Sequence, residues 1–248
     1  MIQVYLRGGL GNQLFQYAAA KALQRRLNTD LEINVSYVEA DPIRQYELGA
    51  FPMITEPIVR GETLGRVVEE GGIEYQPRIL DLPNVDLTLV GYWQCEKYFA
   101  PIADEIRAIY GDTWLGVGRK GLAAVHIRRG DYLTPATRAV MGELPMTYYG
   151  KATAALYEKG FHRFNIFSDD PAWVEANCQW GVAMPRGVAL ADLRWMAGHG
   201  AFIIANSSFS WWAAWLSGSE HVVAPAQWFN PNSGLDGRDV VPDRWLKI

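Results

Sequence analysis

The chain has 248 residues, 49% hydrophobic and 20% charged, enough to bury the core of one or two domains. A formal charge of −4 and a pI near 5.6 argue against a duplex nucleic-acid binder, which carries a basic surplus. Cys95 and Cys178 are the only cysteines and form no C-x-x-C pattern, so a disulfide framework is excluded and a reducing compartment expected. The N-terminus lacks the apolar core of a signal peptide, and no run reaches the ~18 apolar residues of a membrane span. A cytoplasmic location is therefore expected.

Strand-like and helix-like segments alternate, the pattern of an α/β protein. Ile2 to Leu6 reads as a first strand, and Gly8-Gly9-Leu10-Gly11 as a tight loop. Apolar residues at 14, 15, 18, 19, 22, 23 and 27 predict a helix from Gln13 to Leu27. Leu31 to Val35 is a second strand, residues 41–84 are irregular, and Val85 to Val90 is strand-like again. A helix is marked by Tyr98, Phe99, Ile102, Ile106 and Ile109. The glycine-rich stretch Gly111 to Gly121 is the expected boundary, giving domains 1–115 and 116–248. In the second half, strands are expected at Leu122–Ile127, Phe164–Phe167, Ala201–Ala205 and, last, His221–Ala224. Helices are expected at Tyr148–Lys159, after Pro171, at Leu190–Ala197 and at Phe209–Leu216. The simplest architecture is two Rossmann-like halves facing a cleft, with ligands at the carboxyl ends of the strands.

The stretch Val125-His126-Ile127-Arg128-Arg129-Gly130-Asp131-Tyr132 carries the strongest chemical signal. Adjacent arginines at a strand end are costly unless an anion meets them, and a diphosphate matches the guanidinium fork. Successive strand residues face opposite ways, so one arginine enters the cleft while the other pairs inside the fold, with Asp131 as a partner. His126 shares a face with Arg128 if the strand persists; the alternative is a core histidine, and for the arginines a structural ion-pair cluster.

Three other segments could complete a site. The loop Arg7 to Gln13 joins strand to helix; Gly9 and Gly11 would let backbone approach a ligand, and Asn12 could donate to phosphate or orient an acceptor hydroxyl. A plain tight turn explains it equally well. In Phe167-Ser168-Asp169-Asp170 the expected split is Asp170 as helix cap and Asp169 free to read a base such as guanine; no ligand pattern favours a metal. Ser207, Ser208, Phe209 and Ser210 open a helix as a phosphate cradle, where simple capping would explain one serine. Trp211, Trp212 and Trp215 at helical spacing are read as packing.

With these residues in hand, the chain resembles the bacterial α-1,2-fucosyltransferases, the inverting GDP-fucose-dependent enzymes of glycosyltransferase family 11. The matching blocks, in family order, are Gly8 to Ala18, Gly91 to Phe99, His126 to Tyr132, Met146 to Tyr149, Phe167 to Asp170 and Asn206 to Leu216. The resemblance implies a GT-B-like fold with a mainly acceptor-side N-terminal half and a C-terminal half that binds GDP-β-L-fucose. It implies inversion without a metal or other cofactor, and transfer to the 2-hydroxyl of a terminal β-galactoside on an oligosaccharide or lipid-linked glycan, the latter with peripheral membrane association. It places Arg128 on the β-phosphate, Asp169 on guanine, Ser207, Ser208 or Ser210 on the diphosphate, and Asn12 at the cleft. His126 and Asp131 are read as organisers of the arginines, and no general base is assignable. The chain is short for this family, with trimming expected in 41–84. The rivals are another linkage or GDP-sugar, a binding module without turnover, and a nucleotide-sugar hydrolase.

Overall fold

Two parallel sheets carry the chain, one in each half of a computed structural model that describes residues 1–111 and 119–248. The halves form two compact units, Met1–Asp112 and Thr113–Ile248. The boundary expected at 115/116 lies outside the described residues.

In the N-terminal unit the elements run β1 (Ile2–Tyr5), α1 (Leu10–Leu27), β2 (Leu31–Asn34), α2 (Ser36–Ala40), β3 (Ile58–Val59), β4 (Arg66–Glu69), β5 (Leu87–Val90) and α3 (Ala103–Gly111). The strand order is β3-β2-β1-β5-β4, with every pairing parallel. The four residues of β1 are all buried, as a central parallel strand requires. Helix α1 is buried almost all round from Leu10 to Leu23, and its alanines at 18, 19, 20 and 22 permit close packing. Asn28 ends it in the left-handed region (φ 48°), donating its N–H to the Gln24 carbonyl.

The helix begins three residues before the expected Gln13, because Gly9 already acts as the N-cap. Gly11 therefore belongs to the helix and not to the loop. The irregular region 41–84 supplies β3 and β4, two short strands whose residues are mostly exposed and show no alternation. The helix expected from Tyr98 opens as two 3-10 turns, Glu96–Tyr98 and Ala100–Ile102, because Pro101 lacks an amide proton.

In the C-terminal unit follow β6 (Arg119–Ile127), α4 (Pro135–Met141), α5 (Met146–Tyr157), β7 (Phe164–Ser168), α6 (Pro171–Asn177), β8 (Val182–Ala183), α7 (Ala189–Ala197), β9 (His199–Ile203), α8 (Ser208–Ser217), β10 (Val222–Ala224) and β11 (Leu246–Lys247). The order is β11-β10-β9-β6-β7-β8, again all parallel. The expected last strand, at 221–224, is followed by β11, which pairs with it at the sheet edge. Ala123, Val125 and Ile127 of β6 face a core shared with Tyr148, Tyr149, Ala152 and Leu156 of α5. Trp211, Trp212 and Trp215 of α8 are buried against one another and Trp245, so they pack, as their spacing predicts. No helix of the described residues is long and apolar enough to cross a membrane.

From β6 the chain winds outward through β7 and β8, then returns to β9 on the other side of β6 and winds outward the opposite way. The crevice at the carboxyl ends of β6 and β9 is thus the topological switch point, where open α/β sheets bind ligands.

Candidate functional site

The chain leaves β6 at Ile127 and turns into a 3-10 turn, Gly130–Leu133, with Arg129 at φ −130° and ψ −76°. This turn brings Asp131 back onto Arg128, not onto Arg129 as expected. Arg128 Nη2 donates to Asp131 Oδ1 at 2.6 Å, and Nη1 pairs with Asp169 Oδ2 at 2.9 Å. The Arg128 side chain is 22% exposed and lies over the Tyr132 ring. Arg129 turns away: its guanidinium stacks on Trp173 at 3.9 Å and pairs with Asp170 and Glu143. The two arginines are therefore separated in role, one at the switch point and one in a structural cluster.

Asp169 is not the free carboxylate expected. Its Oδ1 accepts from the Arg129 backbone N–H at 2.8 Å while Oδ2 holds Arg128, so the residue anchors the arginine loop. Asp170 is the N-cap foreseen, accepting from the Trp173 N–H at 3.1 Å. Gly130 has a specific reason to be glycine: a Cβ there would sit 2.2 Å from Asp169 Oδ2.

His126 is buried, its ring 5.8 Å from that of Phe209, and its Nδ1 has no hydrogen-bond partner. Burial, reinforced by the Arg128 charge, pushes its pKa down to about 3, so the imidazole is neutral at physiological pH. At the start of α8, Ser207 is the N-cap and makes no side-chain cap hydrogen bond. The first-turn amides of such a helix have no partner within it, which favours an anion there. Ser210 departs from the expected cradle: it is fully buried, and its hydroxyl donates back to the Ser207 carbonyl at 3.2 Å. Ser208 and Phe209 are half-buried.

Several residues that hold this crevice fall in the matching blocks, but the sequence assigned them no role. Tyr132 donates to the Asn206 carbonyl at 2.8 Å, tying the loop after β6 to the one after β9. Asn206 in turn donates to the carbonyls of Met141 and Trp228. From α5, Tyr148 donates to the Ile204 carbonyl and Tyr149 to the His126 carbonyl, satisfying acceptors where the strands end. On that side a cavity of about 260 Å³ is lined by Arg128, Arg129, Glu143, Met146, Tyr149 and Trp173, among others. It is smaller than the roughly 300–1,000 Å³ of a whole-ligand pocket.

The N-terminal unit gathers a second cluster at the carboxyl ends of β1 and β5, which are neighbours. Gly8 is the glycine that must be one, at φ +74° and with a Cβ position 2.4 Å from Asn12 Nδ2. Two buried glutamines of α1 fix the loop. Gln16 accepts from the Arg7 N–H and donates to the Arg7 carbonyl; Gln13 donates to the carbonyls of Gly8 and Gln45. Asn12 stands in the first turn of α1 and its Oδ1 accepts from Gln94 Nε2 at 2.8 Å. Arg44 approaches Gly9, with a guanidinium nitrogen 3.4 Å from where a Cβ would be. Glu70, just past β4, accepts from the N–H groups of Tyr92 and Trp93. Burial pushes its carboxyl up to about 7, against the lowering effect of those amides and of Arg7. Among the described residues no group of three or more His, Cys, Asp or Glu is placed to hold a metal ion.

The family model for glycosyl transferase family 11 matches residues 75–246, which contain the arginine loop, the Asp169–Asp170 pair and the start of α8. The chain belongs to glycosyl transferase family 11. It is 28% identical to an Escherichia coli alpha-1,2-colitosyltransferase, over 98% of this chain and 97% of that one. It is 25% identical to a galactoside 2-alpha-L-fucosyltransferase of Caenorhabditis elegans, over 88% of this chain and 69% of that one. In fold it is similar to the Escherichia coli heptosyltransferase WaaC with ADP, at a TM-score of 0.52 and 9% identity, over 99% of this chain and 92% of that one. This family 11 chain is accordingly a glycosyltransferase with the α/β, GT-B-like fold expected, its two halves each Rossmann-like.

Proposed function

We propose that the chain moves L-fucose from GDP-β-L-fucose to the 2-hydroxyl of a terminal β-galactoside, with inversion, forming an α-1,2 linkage. The observation that carries this reading is Arg128, held at the β6–β9 switch point by two carboxylates on a loop tied to the one that opens α8. A sugar diphosphate leaves as an anion, so the transition state needs positive charge at the β-phosphate more than it needs a proton donor. A preorganised guanidinium supplies that charge without reorganising. The amides opening α8, with Ser207 and Ser208, take the remaining phosphate oxygens, and the sugar passes through an oxocarbenium-like state.

The C-terminal unit is the donor side in this reading and the N-terminal unit mainly the acceptor side, with Asn12 at the acceptor. His126 is buried and its pKa is lowered to about 3, which makes it a weak base and leaves it to shape the pocket. Asp131 holds Arg128. The reaction uses no cofactor or metal, and the enzyme works in the cytoplasm on an oligosaccharide or a lipid-linked glycan at the membrane face.

One observation favours a second donor. The relative named a colitosyltransferase shares 28% identity with this chain, the galactoside fucosyltransferase 25%. Colitose differs from fucose by one missing hydroxyl, so GDP-colitose is the alternative donor for the same 2-hydroxyl.

The test offers GDP-fucose, GDP-colitose and GDP-mannose, each with and without Galβ1-3 and Galβ1-4 acceptors, and reads both GDP and glycan product by mass spectrometry and NMR. Acceptor-dependent GDP release with a new α-1,2 linkage is the expected result. Release at equal rates without acceptor would make the protein a hydrolase, and binding without release would make it a lectin-like module.

A further inference from the structure

Arg7 follows β1 at the carboxyl edge of the N-terminal sheet, and among the described residues its guanidinium meets no acceptor. Its backbone is committed to Gln16. Its guanidinium lies over two tyrosine rings, 5.2 Å from that of Tyr37 and 5.7 Å from that of Tyr92. Nε is buried and makes no hydrogen bond, and among the described residues no carboxylate lies within ion-pairing distance of the guanidinium. Glu70, whose carboxyl feels the Arg7 charge, spends both carboxylate oxygens on the N–H groups of Tyr92 and Trp93.

A half-buried guanidinium with unused donors is an expensive group to keep for stability alone. The backbone beside it is also strained. Trp93 holds a left-handed conformation at φ +54°, unusual for a bulky residue, and Glu70 fixes the successive amides of Tyr92 and Trp93. Such strain persists where surrounding groups over-determine it, and it concentrates at ligand sites. Ring contacts engage the face of a guanidinium and leave its planar N–H edge as the part that can take a ligand. That edge matches a coplanar pair of anionic oxygens, as in a carboxylate or phosphate, better than a lone hydroxyl.

We propose that Arg7, beside the rings of Tyr37 and Tyr92, is a substrate-binding residue that takes an oxyanion. Its two sources are the carboxylate of an acidic sugar in the acceptor and a phosphate oxygen of the donor. The assignment of these sources rests on the glycosyl-transfer reading above.

The test uses the full chain as wild type, Arg7→Met and Arg7→Lys, with circular dichroism and thermal melts to confirm folding. Isothermal titration reads binding of GDP, methyl β-galacturonide and neutral methyl β-galactoside. The expected result is a loss of roughly tenfold to a hundredfold for one oxyanion in Arg7→Met, the range of a lost charged hydrogen bond. The neutral galactoside should bind unchanged, and Arg7→Lys should recover part of the loss. Loss confined to GDP assigns the phosphate, and loss confined to the galacturonide assigns an acidic acceptor. A folded Arg7→Met protein that binds all three like wild type overturns the proposal. So does an equal loss for all three, which marks a structural role; if Arg7→Met does not fold, Arg7→Lys binding both oxyanions like wild type overturns it too. Failure of the transfer reading would look different: no acceptor-dependent GDP release from wild type, whatever Arg7 does.

Discussion

Each unit ends a central strand in an arginine, and the two arginines live in opposite surroundings. Arg128 is held by Asp131 and Asp169, while the Arg7 guanidinium lies over two tyrosine rings with no ion pair among the described residues. The titratable groups beside them, buried His126 and half-buried Glu70, also move in opposite directions, His126 down to about 3 and Glu70 up to about 7. Arg128 is thus fixed before any ligand arrives, which suits a group that must be in place when charge develops. Arg7 makes no ion pair among the described residues, which suits a group whose partner comes with the substrate.

The largest test of this contrast is Arg128→Ala. Loss of a preorganised donor should lower turnover by about 10²–10³ with the fold retained. Arg128→Lys keeps the charge, loses the bidentate fork and should fall between the two. Near-normal turnover in a folded alanine variant would remove Arg128 from the chemistry.

Gly130→Ala asks whether the carboxylates matter through Arg128. The new methyl would stand 2.2 Å from Asp169 Oδ2, so that side chain must move and release Nη1. Turnover should fall roughly tenfold, about 1.4 kcal/mol of transition-state stabilisation. If rotation of Asp169 is the cause, Asp169→Asn and the double variant should show similar rates. Full additivity would place the effect elsewhere.

The two titrating groups give a pair of pH slopes. The His126 pKa is lowered from 6.5 to about 3, so the unfolded chain binds more protons in that window. The stability it contributes is present above pH 6.5 and is lost as pH falls, by up to about 1.4 kcal/mol per pH unit. The Glu70 pKa is raised from 4.5 to about 7, so its contribution is complete below pH 4.5 and lost as pH rises toward 7. Between 4.5 and 6.5 the two oppose each other. Urea denaturation of Glu70→Gln should show stability rising with pH there, and His126→Gln should show it falling. Parallel slopes in the two variants would contradict this account.

The legible parts of the molecule are those where a local pattern meets a local cause. The apolar run before His126 announced β6, and Pro171 after Asp170 announced a capped helix that the structure reproduces. The pairing of Asp131 was misread because strand alternation stops at Ile127. The 3-10 turn then sets Asp131 against Arg128 at i,i+3. Asp169 looked free because its partners come from another strand. Gln13 and Gln16 fall outside the apolar pattern that marks α1, yet both are fully buried and hold the Arg7–Gly8 backbone. Strands β3, β8 and β11 have two residues each, too short for any periodic signal, and exist because a neighbour offers an edge.

The smallest effect concerns Arg129, which the arginine pair invites one to treat as the equal of Arg128. Its guanidinium is 15% exposed, stacked on Trp173 and shared between Asp170 and Glu143, whose own side chains are each 37% exposed. Asp170 does two jobs, capping α6 with Oδ1 and pairing with Arg129 through Oδ2. Asparagine caps about as well as aspartate, so Asp170→Asn removes only the charge. A part-exposed pair of this kind is worth about 0.2–1 kcal/mol, and the stacking on Trp173 should hold the guanidinium without it. The variant should therefore melt within a few degrees of wild type and turn over at close to the wild-type rate. A loss of turnover comparable to that of Arg128→Lys would mean that the Arg129 cluster positions the catalytic loop, and that the separation between the two arginines is weaker than their contacts imply.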